Sequence, residues 1–322
     1  FLTKKRPVHL AFFCCVIISL LACEQRANND GLPLDSAYKL MRGSTMGTSY
    51  AIKAKLPDSV SPEKLHDDIE KQLQDFNQIM STYIDTSEIS LLNQSPVQQE
   101  IEISEALREV IEISLDVSEK TGGAFDITVG PLVNLWGFGP VEVSSAPNEA
   151  HVEAVMGRVG VKNIVLHNNM LTKTAEIEMD LSAVAKGHAT DVIGELLEEN
   201  NVDHYMIEIG GEIKLRGMSP SGHVWRIGVE KPALGREGAV QVVAGENIAI
   251  ATSGDYRNFY EKDGKRISHT IDPTTGMPIE HALASVTVVT EHGGYADAYA
   301  TALNVLGPDK GFALAEELGL AA

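Results

Sequence analysis

The chain has 322 residues, of which 45 are acidic and 26 are lysine or arginine, and its formal net charge is −19 at pH 7. Such an acidic balance argues against a nucleic-acid partner, because nucleic-acid phosphates are bound by a basic surface. If the ligand carries phosphates, the same balance implies that a metal ion or helix dipoles hold them.

The first 22 residues have the features of a secretory signal peptide. Lys4, Lys5 and Arg6 form a positive region that precedes an apolar run over residues 10–22. This run is shorter than the roughly 20 residues needed to span a bilayer, so it is typical of a signal peptide. The run ends in Leu20-Leu21-Ala22-Cys23, which resembles a bacterial lipobox and predicts lipidation of Cys23. The alternative is an ordinary signal peptide followed by a chance cysteine.

Cleavage of the signal peptide is expected directly before Cys23. All three cysteines lie at or before this point, so the mature body has neither a disulfide nor a free thiol. We expect a lipid anchor on the periplasmic face of a bacterial membrane, either outer or inner, and Glu24 after the cysteine favours the outer membrane. Residues 23–37 are predicted to form a tether. Residues 38–322 are enough for one large domain, with or without two subdomains.

The first elements of this domain have clear local signals. Residues 38–52 predict two strands around a glycine-containing bend. Ser61 and Pro62 are typical of a helix start, and the apolar residues that follow at spacings of three and four predict an amphipathic helix. A second helix is predicted over residues 104–120, with Gly122-Gly123 ending it. The apolar positions of the first helix are Leu65, Ile69, Leu73, Phe76 and Met80.

An aromatic and glycine-rich loop follows at residues 135–140. Trp136 and Phe138 in this loop could form a wall for a flat ligand, or they could simply cover the core. The second interpretation is favoured.

The segment from residue 177 to 217 predicts a strand, a helix and a second strand. The first strand ends at Asp180, Ser182 can cap the helix, and the second strand covers residues 205–209. A strand-to-helix junction offers unpaired N–H groups and a positive dipole end, which suit a phosphate. Lys186 in the first turns would add positive charge, although a solvated lysine on a helix surface is the simpler interpretation.

Further strands are predicted at residues 224–230, 240–243, 247–251 and 283–290, and a last helix over residues 295–306 ending at Gly307-Pro308. Asp297 and Thr301 are four residues apart on this helix and share one face. A carboxylate and a hydroxyl are oxygen ligands that Mg²⁺ accepts. Alternatively, Asp297 only complements the N-terminus of the helix.

The stretch from Ser268 to Gly276 combines a histidine, a carboxylate and a Pro-Thr-Thr-Gly turn. Pro273 sets one turn dihedral, and Gly276 can adopt the positive φ that such a turn often needs. His269 is a candidate for proton transfer, because the pKa of histidine lies near neutrality. The alternative is that His269 merely caps a loop.

Several different short motifs follow one another in a fixed order between about residues 40 and 310. Together they resemble the ApbE family, whose members are FAD:protein FMN transferases. The motifs are Met46-Gly47-Thr48, Met80-Ser81-Thr82-Tyr83 with Ser87-Glu88-Ile89-Ser90, Gly123-Ala124-Phe125-Asp126, residues 180–187, Ile209-Gly210-Gly211-Glu212, Ser253-Gly254-Asp255-Tyr256, residues 268–276, and Ala296-Asp297 through Leu303.

The resemblance implies an α+β fold that is T-fold-like, with mixed or antiparallel sheets, flanking helices and a ligand cleft between subdomains. It implies that Mg²⁺ is held by Asp297, the Thr301 hydroxyl and the Ala183 carbonyl, and that His269 is the candidate catalytic residue. The residues that it implies for FAD contact are Met46, Tyr83, Ala124, Phe125, Asp126, Asp180, Lys186 and Ile271. Other aspartates, such as Asp272 and Asp255, would only order the pocket.

The activity implied by the resemblance is Mg²⁺-dependent transfer of FMN from FAD to a threonine hydroxyl of an acceptor protein, with release of AMP. The acceptors of the family include subunits of the Rnf and Nqr redox pumps, which carry a Ser/Thr-Gly-Ala-Thr-like motif. Two alternatives remain open. One is a Mg²⁺-dependent FAD pyrophosphatase, and the other is a non-catalytic flavin-binding lipoprotein.

The chain departs from the family pattern at Leu91, where an arginine is usual, and at His188, where an aromatic residue is common. Neither is an implied ligand. The family also usually continues into a final β segment after the position of Ala322, so we expect that an edge strand is missing here.

Overall fold

The computed structural model describes residues 37–140, 147–230, 239–254, 259–262 and 265–322. The predicted signal peptide, Cys23 and all but the last residue of the predicted tether lie outside the described residues, as does Asp255. Within the described part of the chain, no helix is both long and apolar enough to cross a membrane.

A six-stranded sheet forms the centre of the fold, and each pair of neighbouring strands in it is antiparallel. The first two strands meet at Met46 and Gly47, which both have positive φ, of 49° and 71°. Two positive φ values are the signature of a tight hairpin turn, and they confirm the predicted bend. In sheet order, the strands are β1 (Tyr38–Thr45), β2 (Thr48–Lys55), β6 (Tyr205–Ile209), β7 (Glu212–Arg216), β10 (Ile248–Gly254) and β13 (Ser285–Thr290).

Three smaller antiparallel sheets surround the central one. They are β3 (Glu100–Glu102), β5 (Met170–Lys173) and β4 (Ile164–His167); β8 (Trp225–Glu230) and β9 (Ala239–Gly245); and β11 (Phe259–Lys262) and β12 (Lys265–Ser268). Antiparallel sheets combined with helices confirm the predicted α+β class.

Seven α-helices occur among the described residues. Both helices predicted from apolar spacing are confirmed: the Ser61 hydroxyl accepts a hydrogen bond from the Lys64 amide at the start of one, and Ser104 accepts one from the Leu107 amide in the other. The helices are α1 (Pro62–Met80), α2 (Glu88–Gln94), α3 (Glu105–Lys120), α4 (Gly130–Leu135), α5 (Glu149–Met156), α6 (Ala185–Glu199) and α7 (Gly293–Leu318).

Side chains on alternate positions of the central sheet reach two different hydrophobic clusters. Ile207 of β6 and Ala249 of β10 belong to the main core, which they share with the buried residues of α1, α3, α6 and α7. Their neighbours Met206 and Ile250 contact a second cluster, which includes Trp225 of β8. The helices therefore cover one face of the sheet, and the β8–β9 hairpin packs on the other.

One prediction about helix ends was wrong. Ser182 does not cap α6. The N-cap residue is Val184, which makes no side-chain cap hydrogen bond. The amide of Ser182 instead donates to Asp180 Oδ1 at 2.8 Å. The last helix is interrupted at Gly307 as predicted, because Gly307 has a non-helical φ of 75°, and a second helical stretch follows from Pro308 to Leu318. Pro308 is tolerated because it begins the second helical stretch.

Candidate active site

A cavity of about 720 Å³ lies where the β6–β7 turn, the start of α6, the first half of α7 and the residue 268–276 turn meet. Strand β8 closes another side of it, through Ile227, Gly228, Val229 and Glu230. The cavity therefore brings together segments that are far apart in the sequence, and three of them, the start of α6, the first half of α7 and the residue 268–276 turn, carry predicted site residues.

Most of the predicted site residues line this cavity, and two do not. Met46 lies in the β1–β2 turn and packs against the main core, while its near neighbour Thr48 reaches the cavity. Tyr83 is 63% exposed, and its hydroxyl donates to the Phe138 carbonyl at 3.2 Å. Phe138 lines the cavity, so Tyr83 stands beside its rim. The predicted residues that line the cavity are Ala124, Phe125, Asp126, Asp180, Ala183, Lys186, His269, Ile271, Asp297 and Thr301.

A lysine between two carboxylates is the electrostatic centre of the cavity. Lys186 Nζ lies 3.1 Å from Glu212 Oε1 and 3.8 Å from Asp297 Oδ2. Burial opposes the charge of Lys186, but Asp297 and Glu212 outweigh it and raise its pKa above the ordinary value. Burial also raises the pKa of Glu212, against the opposing effect of Lys186. Lys186 is thus held as a cation by an ion-pair network, and it is not a solvated surface lysine.

The charge and the oxygen atoms of the cavity fit a divalent cation. Among the described residues, six carboxylate side chains but a single lysine line it, so an anionic ligand needs an additional positive charge. Oε2 of Glu212 is buried and has no hydrogen-bond partner within the described residues. Asp297 is engaged through Oδ2, and no hydrogen bond to its Oδ1 is seen in the same part of the chain. The six carboxylates are Asp126, Asp180, Glu208, Glu212, Glu230 and Asp297.

A cation here would depend on mixed oxygen ligands. In the described residues, no three His, Cys, Asp or Glu side chains come together in a way that could hold a metal ion. Asp297, Thr301 and Ala183 line the same cavity and offer a carboxylate, a hydroxyl and a backbone carbonyl. Mg²⁺ commonly takes one or two carboxylates and completes its coordination with water and substrate phosphates, so this donor set fits it.

The carboxylate of Asp126 is largely occupied within the protein. Its Oδ1 accepts hydrogen bonds from the Thr128 amide at 2.7 Å and the Thr128 hydroxyl at 2.6 Å, and its Oδ2 accepts one from the Val161 amide at 3.1 Å. Burial raises the pKa of Asp126, although these hydrogen bonds oppose the shift. Asp126 therefore orders the loop after α3, which presents Ala124 and Phe125 to the cavity.

The aromatic loop divides its two large residues between core and cavity. Trp136 is buried with Leu132, Val152 and Ile271, and its Nε1 donates to the Gly276 carbonyl at 2.9 Å. Phe138 lines the cavity, with its ring centroid 5.4 Å from Tyr260 and 6.3 Å from His269. The core interpretation is right for Trp136, whereas Phe138 is part of the cavity wall.

The turn that carries His269 is built as the sequence predicts. Gly276 has a φ of 71°, and its amide donates to the Asp272 carbonyl at 2.8 Å. Asp272 Oδ1 accepts from the Thr274 amide at 2.8 Å and from the Thr274 hydroxyl at 2.7 Å. Asp272 therefore orders the turn, as expected, and His269 faces the cavity from the turn's start.

Two buried acidic residues were not singled out from the sequence. Glu212 was noticed only as the end of a Gly-Gly motif, yet it is the nearest partner of Lys186. Asp191 of α6 binds two backbone amides at the start of α7. A signal for Asp191 existed, because it lies one turn after His188 and before Gly194, on a face of α6 that is otherwise buried.

Comparison with known proteins gives a consistent family. Residues 46–322 match the family model described as the ApbE family. The "FAD:protein FMN transferase" of Haemophilus influenzae is 41% identical over 314 residues, which cover 94% of this chain and 88% of the relative. The protein of the same description from Vibrio cholerae is 40% identical over 279 residues, covering 86% of this chain and 84% of the relative.

Solved structures show the same fold. The structure described as "Flavin Transferase ApbE from Vibrio cholerae" superposes with a TM-score of 0.83 at 38% identity, covering 89% of this chain and 92% of that one. The apo flavinyl transferase ApbE of Pseudomonas stutzeri superposes with a TM-score of 0.81 at 37% identity, covering 88% and 89%.

Proposed function

Because the chain belongs to the ApbE family, we propose that it transfers FMN from FAD to a hydroxyl group of an acceptor protein and releases AMP. The observation that carries the proposal is the meeting of Lys186, Asp297 and Thr301 with the Ala124–Phe125 loop in one cavity. Three separate segments of the chain supply these residues, and the solved structure named as a flavin transferase shares the fold that brings them together.

The reaction is a phosphoryl-type transfer. The acceptor oxygen bonds to the phosphorus of the FMN half, the bond from that phosphorus to the bridging oxygen breaks, and AMP departs with that oxygen. The acceptor's hydroxyl proton passes to a base of the protein, for which His269 is the candidate because it lines the cavity. FMN remains joined to the acceptor through a phosphoester.

The residues of this chain would bind and orient the pyrophosphate. Asp297, the Thr301 hydroxyl and the Ala183 carbonyl would hold Mg²⁺. When bound, this ion supplies positive charge that offsets the negative charge of the two phosphates. Lys186 contributes a second, permanent positive charge. Ala124 and Phe125 are buried and line the cavity, so they would exclude water from the bound flavin.

The proposal also covers the acceptor protein and the location of the enzyme in the cell. The acceptor hydroxyl would be a threonine in a Ser/Thr-Gly-Ala-Thr-like motif of Rnf- or Nqr-type subunits, which the family resemblance supports. Lipidation of Cys23 would hold the enzyme on the periplasmic face of the membrane. Cys23→Ser would then abolish labelling by a fatty-acid probe, and labelling that persists in the variant would refute the anchor.

The decisive experiment uses residues 24–322 with FAD, Mg²⁺ and a threonine-containing acceptor domain of the Rnf or Nqr type. We expect flavin fluorescence on the denatured acceptor in a gel, together with an equal amount of AMP in solution. AMP and free FMN without a labelled acceptor would identify a pyrophosphatase instead. FAD that is bound but recovered unchanged would identify a non-catalytic flavin carrier.

A further inference from the structure

The N-termini of α6 and α7 differ from those of α1, α2, α3 and α5. The first turns of α1, α2, α3 and α5 are capped by their own Ser61, Ser87, Ser104 and Asn148 side chains. The N-cap residues of α6 and α7 are Val184 and His292, and neither makes a side-chain cap hydrogen bond. The first amides of a helix need acceptors from elsewhere when the local cap is absent.

Each of these two helices receives its cap from the other. Asp297 of α7 accepts a hydrogen bond from the Gly187 amide in the first turn of α6, at 3.0 Å to Oδ2. Asp191 of α6 accepts from the Gly293 amide at 2.9 Å and from the Gly294 amide at 3.1 Å, at the start of α7. Both aspartates are buried. The two helix starts are therefore joined by a reciprocal cap.

A close backbone contact makes this exchange possible. A Cβ atom added to Gly187 would lie 2.1 Å from the Gly293 carbonyl oxygen, and one added to Gly293 would lie 2.2 Å from the Gly187 oxygen. Only glycine fits at such a separation. The distance between the two helix starts is thus set by backbone contact, and the two carboxylates only have to span it.

Each capping aspartate is also paired with a lysine. Asp297 Oδ2 lies 3.8 Å from Lys186, and Asp191 Oδ1 lies 2.5 Å from Lys214 Nζ on β7. Hydrogen bonds and ion pairs together leave a buried carboxylate little freedom to rotate. Asp191 therefore fastens the start of α7 both to α6 and to the central sheet.

From this arrangement we infer that Asp191 is a positioning residue for the cation site, because it fixes the start of the helix that carries Asp297 and Thr301. Asp297 lies one turn after the amides that Asp191 binds, and its own Oδ2 is fixed by Gly187, which leaves Oδ1 for a ligand. If the start of α7 moves, this oxygen and the Thr301 hydroxyl move with it. The inference rests on the proposed function, because it assumes that Asp297 binds a metal.

The test compares Asp191→Asn with Ser104→Ala in the body from residue 24 onward. Asn keeps the shape of the side chain and one oxygen acceptor but loses the charge and the second acceptor. Ser104→Ala removes the cap of α3, away from the cavity, and is the matched control for loss of a helix cap. The measurements are the affinity for Mn²⁺ alone, from the signal of free Mn²⁺ in electron paramagnetic resonance, and the Mg²⁺ concentration that gives half-maximal transfer.

We expect Asp191→Asn to weaken Mn²⁺ binding and to raise the required Mg²⁺ concentration by about 10-fold or more. Losses of this size are typical when a group that orients metal ligands is removed. Ser104→Ala should lower the melting temperature and leave both quantities unchanged. If the Asp191→Asn protein is less stable but binds Mn²⁺ as tightly as the wild type, the inference is overturned and the proposed function stands. Wild-type protein that binds no Mn²⁺ would remove the proposed metal site and the inference with it.

Discussion

Lys186 and Glu212 form an ion pair inside the cavity, with 3.1 Å between Nζ and Oε1. The lysine comes from the start of α6 and the glutamate from the start of β7, so the pair joins a helix to the central sheet. Asp297 is the second carboxylate near the same lysine. A single lysine thus offsets the charges of two buried carboxylates.

Removing this cation should destabilise the fold as well as weaken ligand binding. We expect Lys186→Met to lower the free energy of unfolding by about 3–5 kcal/mol, because it leaves buried carboxylates without a partner. The measurement is urea unfolding. The control is Lys120→Met, which breaks an exposed pair with Asp116 and should cost less than about 1 kcal/mol.

A second variant separates charge from packing in this prediction. Lys186→Met combined with Glu212→Gln should recover part of the lost stability, because one unpaired charge is then absent. Equal stability of the wild type and the single Lys186→Met variant would contradict the view that Lys186 neutralises the cavity.

Asp297→Asn tests the proposed metal ligand with little change in shape. The amide oxygen of asparagine can still accept the Gly187 hydrogen bond, so the fold should persist. We expect transfer to fall at least about 100-fold, as when one charge-stabilising group is lost. The control is Asp309→Asn on the same helix, which changes an exposed carboxylate and should leave the rate unaltered. Undiminished Mg²⁺-dependent transfer by Asp297→Asn would remove Asp297 from the site.

Tyr83 at the rim should bind FAD through its ring, as the family resemblance implies. Tyr83→Ala should weaken FAD binding by about 2- to 10-fold, in line with the roughly 0.5–1.5 kcal/mol of an aromatic pair. Tyr83→Phe keeps the ring and loses only the hydrogen bond to Phe138, so its affinity should stay near that of the wild type. Quenching of flavin fluorescence measures both.

A matched surface control exists for Tyr83. Phe312 on α7 is 66% exposed, close to the 63% of Tyr83, and is absent from the cavity lining. Phe312→Ala should therefore not change the affinity for FAD. Equal affinities of Tyr83→Ala and the wild type would show that the rim does not contact the flavin.

The buried His188 on α6 should make the protein less stable in mild acid. Burial lowers its pKa, although Asp191 and Glu109 oppose the shift, and Lys214 and His292 add to it. Between the lowered pKa of the folded protein and the ordinary pKa of histidine, His188 binds a proton in the unfolded chain but not in the folded protein. Stability is therefore full above the ordinary histidine pKa of about 6.5 and falls as the pH drops below it.

Thermal melting between pH 8 and 5 measures this effect. His188→Phe keeps a ring beside Phe76 and removes the titrating group, so its melting temperature should decline less over that range than that of the wild type. Identical pH profiles of the two proteins would show that another group controls the acid sensitivity.

Much of the fold was predictable wherever its signals are local. The apolar spacing of α1, its Ser61 cap and Pro62 all lie within one segment, and the structure places the helix where they predict it. The Gly276 turn is likewise determined within a few residues. The order of short motifs was enough to indicate the family, because each motif is a contiguous run of residues.

Tertiary structure alone decided how the site is assembled. Ser182 is a good capping residue by type, but α6 is capped by Asp297, which is 110 positions away from the Gly187 amide that it binds. The same holds for Asp191 and for the pairing of Glu212 with Lys186. A backbone amide or a buried charge is satisfied by any suitable group that is near it in space. Separation along the chain therefore contains no information about such partners, and the packing of α6 against α7 and the sheet determines them.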